Sequence, residues 1–188
     1  QLMNKIVFII VLNLVIFNNI FAKERNLELN DLFTQLQTKN SSIALKIEKK
    51  IWKIWSTHPS NDRKGYRLTD ILAQGDLMIV KKDLIGAIEI FSLIISIDPD
   101  WPEAWNKRAT ALYLSGRYSD SIKDIKEVLR LEARHFGAIS GLALNQIELK
   151  KYEDALKSYQ EAQKIYPEME AAKKMIPKLK ELIKGLKT

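Results

Sequence analysis

The chain has 188 residues, of which 46% are hydrophobic and 28% charged, a mixture typical of globular proteins and not of disordered ones. Seven Gly and five Pro are few for a hairpin-rich β fold, and the lack of Cys excludes disulfides, thiolate metal sites and a cysteine nucleophile. The net charge of +7 lies mostly at the two ends of the chain, with an acidic segment, 68–101, between them. Because nucleic acid requires a continuous basic surface, no nucleic-acid partner is expected.

The first 22 residues have the pattern of a secretory signal peptide. Lys5 precedes an apolar stretch of about twelve residues, and Ala22 precedes a charged segment. A membrane-spanning helix needs about twenty apolar residues, so cleavage after Ala22 is favoured over an uncleaved N-terminal anchor. Ile20 departs from the small residue that the cleavage rule prefers. Both alternatives predict an exported protein, periplasmic or secreted if the source is bacterial.

Residues 23–67 are predicted to form a pair of helices, Leu29 to Lys39 and Ser42 to Thr57, that acts as a degenerate repeat or cap. The second helix carries Trp52 and Trp55 beside three lysines, Lys49, Lys50 and Lys53. The favoured interpretation packs one face of this helix on the first regular repeat and leaves the lysines in water. The alternative is docking of the basic, Trp-containing helices on anionic lipid or a cell-wall polymer.

A period of 34 residues follows. Shifting the sequence by this period aligns small residues with small and large apolar residues with large: Gly75, Ala109 and Ala143; Ala87, Ser121 and Ala155; Phe91, Ile125 and Tyr159; Ile94, Val128 and Ala162. Small residues allow two helices to approach closely, and large ones fill the space beside them. The period predicts three helical pairs, 68–101, 102–135 and 136–167, and a final capping helix within 168–188.

The period and these residue types resemble the tetratricopeptide repeat family. The third unit carries the pattern most fully, with Tyr152, Ala155, Tyr159 and Ala162 before Tyr166-Pro167. The resemblance implies an all-α fold, a right-handed α-solenoid of helix-turn-helix repeats with helical caps. It also implies an interaction scaffold without enzymatic activity, which holds an extended segment of another protein in a concave groove. Together with the signal-peptide pattern, the expectation is an exported bacterial protein of this family. The partner's identity and the oligomeric state stay open.

In the resembled family the first helix of each repeat lines that groove. Transferring the columns to this chain predicts seven groove residues: Leu72, Asp76, Asn106, Thr110, Tyr113, Ser140 and Leu144. Glu103 falls on the same surface. The alternative is that these are ordinary exposed helix residues. The chaperone-binding members hold a carboxylate with Lys and Asn, whereas the matching positions here are Asp76, Lys107, Gly137 and Gly141, so such a clamp is not expected.

No catalytic residue, metal ligand or cofactor site is predicted. His58 lies in a loop without an evident carboxylate partner, and His135 lies at a repeat junction, where a packing or hydrogen-bonding role is expected. Carboxylates near helix starts, including Asp120 and Asp124, are expected in solvated positions that suit the helix dipole.

Overall fold

The computed structural model describes residues 23–186, which form nine α-helices and no strand. Helix α1 comprises residues 23–35, and the others are Ser41–Ser56 (α2), Arg63–Val80 (α3), Leu84–Ile97 (α4), Pro102–Leu114 (α5), Tyr118–Leu131 (α6), Phe136–Glu148 (α7), Tyr152–Ile165 (α8) and Glu170–Gly185 (α9). The predicted all-α class is confirmed. The predicted signal peptide lies outside these residues. Within them, no helix combines the length and apolar character needed to cross a membrane.

Helices α3 to α8 pair into three hairpins, and each hairpin packs on the next. The column of small residues in the second helices, Ala87, Ser121 and Ala155, is fully buried in all three repeats. Gly75 occupies the small column of the first helices, where an added Cβ would lie only 2.4 Å from the Phe91 ring. The alignment at 34 residues therefore marks true packing positions.

The turn inside each hairpin places its central residue in the left-handed backbone region. These residues are Lys82, Gly116 and Lys150, with φ of 63°, 74° and 59°. In each turn, the N–H of the residue after this one donates to the carbonyl five residues earlier. In the second repeat, the Arg117 N–H donates to the Leu112 carbonyl at 2.9 Å. This hydrogen bond satisfies a carbonyl that the end of the helix leaves free.

Two predicted boundaries differ from the structure. Helix α3 begins at Arg63, because the Asp62 side chain accepts the Gly65 N–H at 2.7 Å and so caps the start of the helix. The predicted boundary between the N-terminal pair and the first repeat, after residue 67, therefore falls inside α3. Helix α1 ends at residue 35 instead of Lys39, and Asn40 then caps α2. The C-terminal helix continues through Pro177 to Gly185.

The N-terminal helical pair contacts the first repeat through the Trp55 carbonyl, which accepts from Trp101 Nε1 at 2.9 Å, but its main packing lies elsewhere than predicted. The apolar side chains of α1 and α2 form one cluster with Phe136 and Tyr166, at the start and the end of the third repeat, and not with the core of the first repeat. Trp55 stacks on the His135 ring with 3.8 Å between ring centroids. The large aromatic side chains at these two junctions provide the apolar surface that the α1–α2 hairpin buries.

Polar contacts hold the same hairpin at both junctions. The Arg134 guanidinium lies 4.2 Å from the centre of the Phe33 ring and donates to Asn30 Oδ1 at 2.8 Å. Gln37 Nε2 donates to the Ile165 carbonyl at 2.9 Å. The α1–α2 hairpin is thus a fixed part of the surface formed by the first helices of the repeats.

Candidate functional site

Helices α3, α5 and α7, the first helices of the three repeats, lie side by side, and α2 contacts α5. A pocket of about 300 Å³ lies between α2, α5 and α7. The residues from α5 and α7 that line it are Asn106, Ala109, Thr110, Tyr113, Phe136, Gly137, Ser140, Gly141, Leu144 and Asn145. The opposite side is formed by Glu48 and Trp52 of α2 and by Met169, which precedes α9.

Five of the seven predicted groove residues line this pocket: Asn106, Thr110, Tyr113, Ser140 and Leu144. Asn106 and Ser140 are almost buried, whereas Thr110 and Leu144 are exposed. Burial raises the pKa of the Tyr113 hydroxyl, and the neighbouring Glu148 raises it further. Tyr113 is therefore a neutral hydroxyl that can donate and accept at physiological pH.

The other two predicted groove residues lie elsewhere. Leu72 is only 2% exposed and packs in the core of the first repeat with Phe91, so its assignment to the groove is wrong. Asp76 is half-exposed and pairs with Lys107 at 2.9 Å, which joins the first repeat to the second.

Glu103 was expected on the groove and is instead completely buried. Its Oε2 accepts from Asn106 Nδ2 at 3.2 Å and lies 3.1 Å from His135 Nε2. Because His135 Nδ1 accepts the Ala138 N–H at 3.1 Å, its proton resides on Nε2 and is donated to Glu103. The predicted hydrogen-bonding role of His135 is confirmed: it caps α7 and connects this helix to α5.

Three residues of the pocket that sequence reasoning missed come from the N-terminal and C-terminal flanks: Glu48, Trp52 and Met169. Trp52 lies against Gly137 so closely that a Cβ on this glycine would be 2.4 Å from the ring. Glu48 accepts from Trp52 Nε1 at 3.3 Å and from the Tyr166 hydroxyl at 3.1 Å. Burial and the nearby Glu48 raise the pKa of Tyr166, which stays protonated as a donor.

Asn145 is a fourth missed residue, and it lines the pocket from α7. Its Nδ2 donates to Ser121 Oγ at 3.0 Å and to the Gly141 carbonyl at 2.8 Å. Its Oδ1 is buried and accepts no hydrogen bond from any residue in 23–186. The 34-residue alignment pairs Asn145 with Ala111 of the second repeat. Because Ala111 is apolar, the alignment did not predict a polar pocket residue at position 145.

Two other sequence expectations are wrong. His58 has a carboxylate partner, since its Nε2 lies 2.8 Å from Asp98 Oδ2, and its side chain is buried. Asp124 is buried and accepts both hydrogen bonds of a two-point contact with Arg108, at 2.7 and 2.8 Å. Neither pair adjoins the pocket. Across the part of the chain that the structure describes, no group of three or more potential metal ligands occurs.

This architecture defines a right-handed α-solenoid of helix-turn-helix repeats. A sequence model described as "Tetratricopeptide repeat" matches residues 138–169. A TPR repeat-containing protein of Rhizobium etli is 33% identical over 153 residues, which cover 72% of this chain and 71% of that protein. The chain therefore belongs to the tetratricopeptide repeat family. The BBSome complex member BBS4 homolog of Drosophila melanogaster is 21% identical over 140 residues, 70% of this chain but 29% of that protein.

Solved structures share the fold. The first TPR domain of Spaghetti (RPAP3), bound to the HSP90 peptide SRMEEVD, superposes with a TM-score of 0.60 at 19% identity, covering 62% of this chain and 92% of that domain. The Sgt2 TPR domain from Aspergillus fumigatus gives a TM-score of 0.61 at 20% identity, covering 64% of this chain and 82% of that one. The TPR2B domain of yeast Sti1, in complex with an Hsp70 peptide, gives 0.55 at 21% identity, covering 61% and 93%.

Proposed function

We propose that this protein is an interaction module that binds an extended segment of another protein in the pocket between α2, α5 and α7. The observation that carries the proposal is the convergence of Asn106, Thr110, Tyr113, Ser140 and Leu144 around one pocket. Two of the structural relatives above carry a peptide, and no enzymatic family is indicated among the matches.

The chemistry of the pocket suits a polypeptide backbone. Amide and hydroxyl groups can both donate and accept, and Asn106, Thr110, Tyr113 and Ser140 supply these groups from two adjacent helices. Leu144, Met169 and Trp52 supply apolar surface between them for side chains of the segment. An extended segment whose backbone meets the polar groups and whose side chains contact the apolar surface satisfies both parts.

A carboxylate clamp does not fit these residues. Lys107, the one cation at the matching positions, already lies 2.9 Å from Asp76 and 3.7 Å from the buried Glu103. Gly137 and Gly141 contribute no side-chain donor. We therefore do not propose an acidic C-terminal tail as the partner.

The proposed setting is the bacterial cell envelope, with the protein exported by the signal-like sequence of residues 1–22. Mass measurement of the mature protein from its own cells tests this part separately. A protein beginning at Lys23 supports export, and a protein that retains the apolar segment and fractionates with the cytoplasm contradicts it. Trp-mediated docking on lipid is not proposed, because Trp55 is buried and Trp52 is half-buried against Gly137 and Phe136.

The experiment is selection of binders from a displayed library of random dodecapeptides. Wild-type protein is compared with a pocket variant (Asn106→Ala, Thr110→Ala, Tyr113→Ala) and with a control variant at exposed positions away from the pocket (Lys126→Ala, Lys157→Ala, Glu181→Ala). We expect peptides that bind wild type and the control but not the pocket variant, with circular dichroism showing that all three are folded. Recovery of peptides that bind all three equally would refute the proposal.

A further inference from the structure

The pocket contains one residue that is charged at neutral pH, and that residue is acidic. Among the described residues that line it, Glu48 alone carries a formal charge. Its two carboxylate oxygens accept from Trp52 Nε1 and from the Tyr166 hydroxyl, both neutral groups. No cation within residues 23–186 forms an ion pair with Glu48, so its negative charge is available to a ligand.

Two cations near the pocket are already paired with other carboxylates. Lys107, on the same face, is bound by Asp76 and approaches Glu103. Lys173, beyond Met169, lies 2.6 Å from Glu168. These two lysines are therefore engaged elsewhere and form no ion pair with Glu48.

Two further features of the pocket favour a ligand rich in N–H groups. The buried Asn145 Oδ1 lacks a donor within residues 23–186, and a buried acceptor without a donor is unfavourable. Aromatic rings line the pocket beside Glu48, those of Trp52 and Phe136, with Tyr113 farther along α5. Such rings attract a cation placed over their faces, and the planar guanidinium of arginine stacks on them well.

We propose, on the basis of the function proposed above, that the bound segment is basic and places an arginine side chain in the pocket. The guanidinium of this arginine pairs with the Glu48 carboxylate and stacks on the Trp52 ring. An N–H of the segment donates a hydrogen bond to Asn145 Oδ1. The preferred segment is then opposite in charge to the HSP90 peptide SRMEEVD carried by the Spaghetti domain.

The test uses the pocket-dependent peptides from the dodecapeptide selection. We expect arginine to be enriched at one position. Replacing this arginine by citrulline, which removes the charge and keeps the shape, should weaken binding to wild type about tenfold in calorimetry. Glu48→Gln should weaken the arginine peptide by a similar factor and leave the citrulline peptide unchanged, while Glu181→Gln serves as the matched control.

The outcomes separate the two proposals. Pocket-dependent peptides without basic enrichment, or with acidic enrichment, would overturn the arginine proposal and leave segment binding intact. Equal affinity of the arginine and citrulline peptides would do the same, and this comparison does not depend on the folding of any protein variant. If no selected peptide depends on the pocket residues for binding, both the proposed function and the arginine proposal are refuted.

Discussion

Lys82, Gly116 and Lys150 occupy the same position of three successive turns, and all three have a left-handed backbone. Only glycine adopts this conformation without a steric penalty from Cβ. The first and third repeats therefore bear a local strain that the second repeat avoids.

Replacing Lys150 by Gly should raise the free energy of unfolding by about 0.5–1 kcal/mol, because relief of this strain exceeds the entropy that glycine adds to the unfolded chain. Urea denaturation measures the change. The matched control is Lys157→Gly, which is exposed in the middle of α8 and should lose about 1 kcal/mol of helix stability. A loss of stability at position 150 equal to that at 157 would contradict the assignment of the turn.

Residue-scale features differ in how far the sequence reveals them. Gly116 lies just past the end of α5, a position that the sequence reveals because glycine and the helix pattern are both local signals. The pairs His58–Asp98 and Arg108–Asp124 join residues 40 and 16 positions apart, so no local pattern reports them. They depend on how one helix is rotated against another.

At the scale of single elements, α7 presents two glycines to the pocket with different surroundings. A Cβ at Gly137 would lie 2.4 Å from the Trp52 ring, whereas a Cβ at Gly141 would lie 3.6 Å from Ile125, an ordinary contact. Gly137 thus allows α2 to dock, and Gly141 leaves space for a ligand.

Gly141→Ala should stabilise the protein by up to about 1 kcal/mol, because alanine is the better helix former. Gly137→Ala should destabilise it by about 1–3 kcal/mol, because the Trp52 ring must move. Thermal unfolding with circular dichroism compares the two. In the background of Trp52→Ala, the penalty at position 137 should disappear. If Gly137→Ala destabilises the wild-type protein and the Trp52→Ala variant equally, α2 does not pack against Gly137.

The helical hairpins of the repeats could be predicted because the 34-residue alignment reports buried columns directly. The docking of α1 and α2 could not, since the N-terminal pair is not a copy of the repeat and its partners, Phe136 and Tyr166, lie more than a hundred residues away from α1. For the same reason the sequence predicted five residues of the pocket from α5 and α7 and none of those from α2. Leu72 was misplaced because the pocket is lined from α5 and α7 and not from α3, and a repeat column does not distinguish the first repeat from the other two.

At the scale of the whole molecule, the N-terminal hairpin shares a hydrophobic cluster with Phe136 and Tyr166 of the third repeat. Trp55 is buried against His135 and Phe136, contacts that link α2 to α7. A small domain with a shared core unfolds in one step.

Trp55→Ala should lower the free energy of unfolding by about 3–5 kcal/mol, as loss of a large buried side chain does. Leu27→Ala, at an exposed position of α1, is the control and should change it little. In wild type, urea transitions followed by tryptophan fluorescence and by far-ultraviolet circular dichroism should coincide. A separate early fluorescence transition would indicate that the α1–α2 hairpin is an independent cap.

The most direct test of pocket binding is photo-crosslinking with a pocket-selected peptide that carries a benzophenone side chain, followed by mass spectrometry of the linked residues. The competing surface is the exposed apolar part of the first repeat, formed by Leu77, Val80 and Ile85. Binding between α2, α5 and α7 predicts crosslinks at Trp52, Tyr113, Leu144 or Met169, and their loss when unlabelled peptide competes. Crosslinks confined to Leu77, Val80 and Ile85 would contradict it.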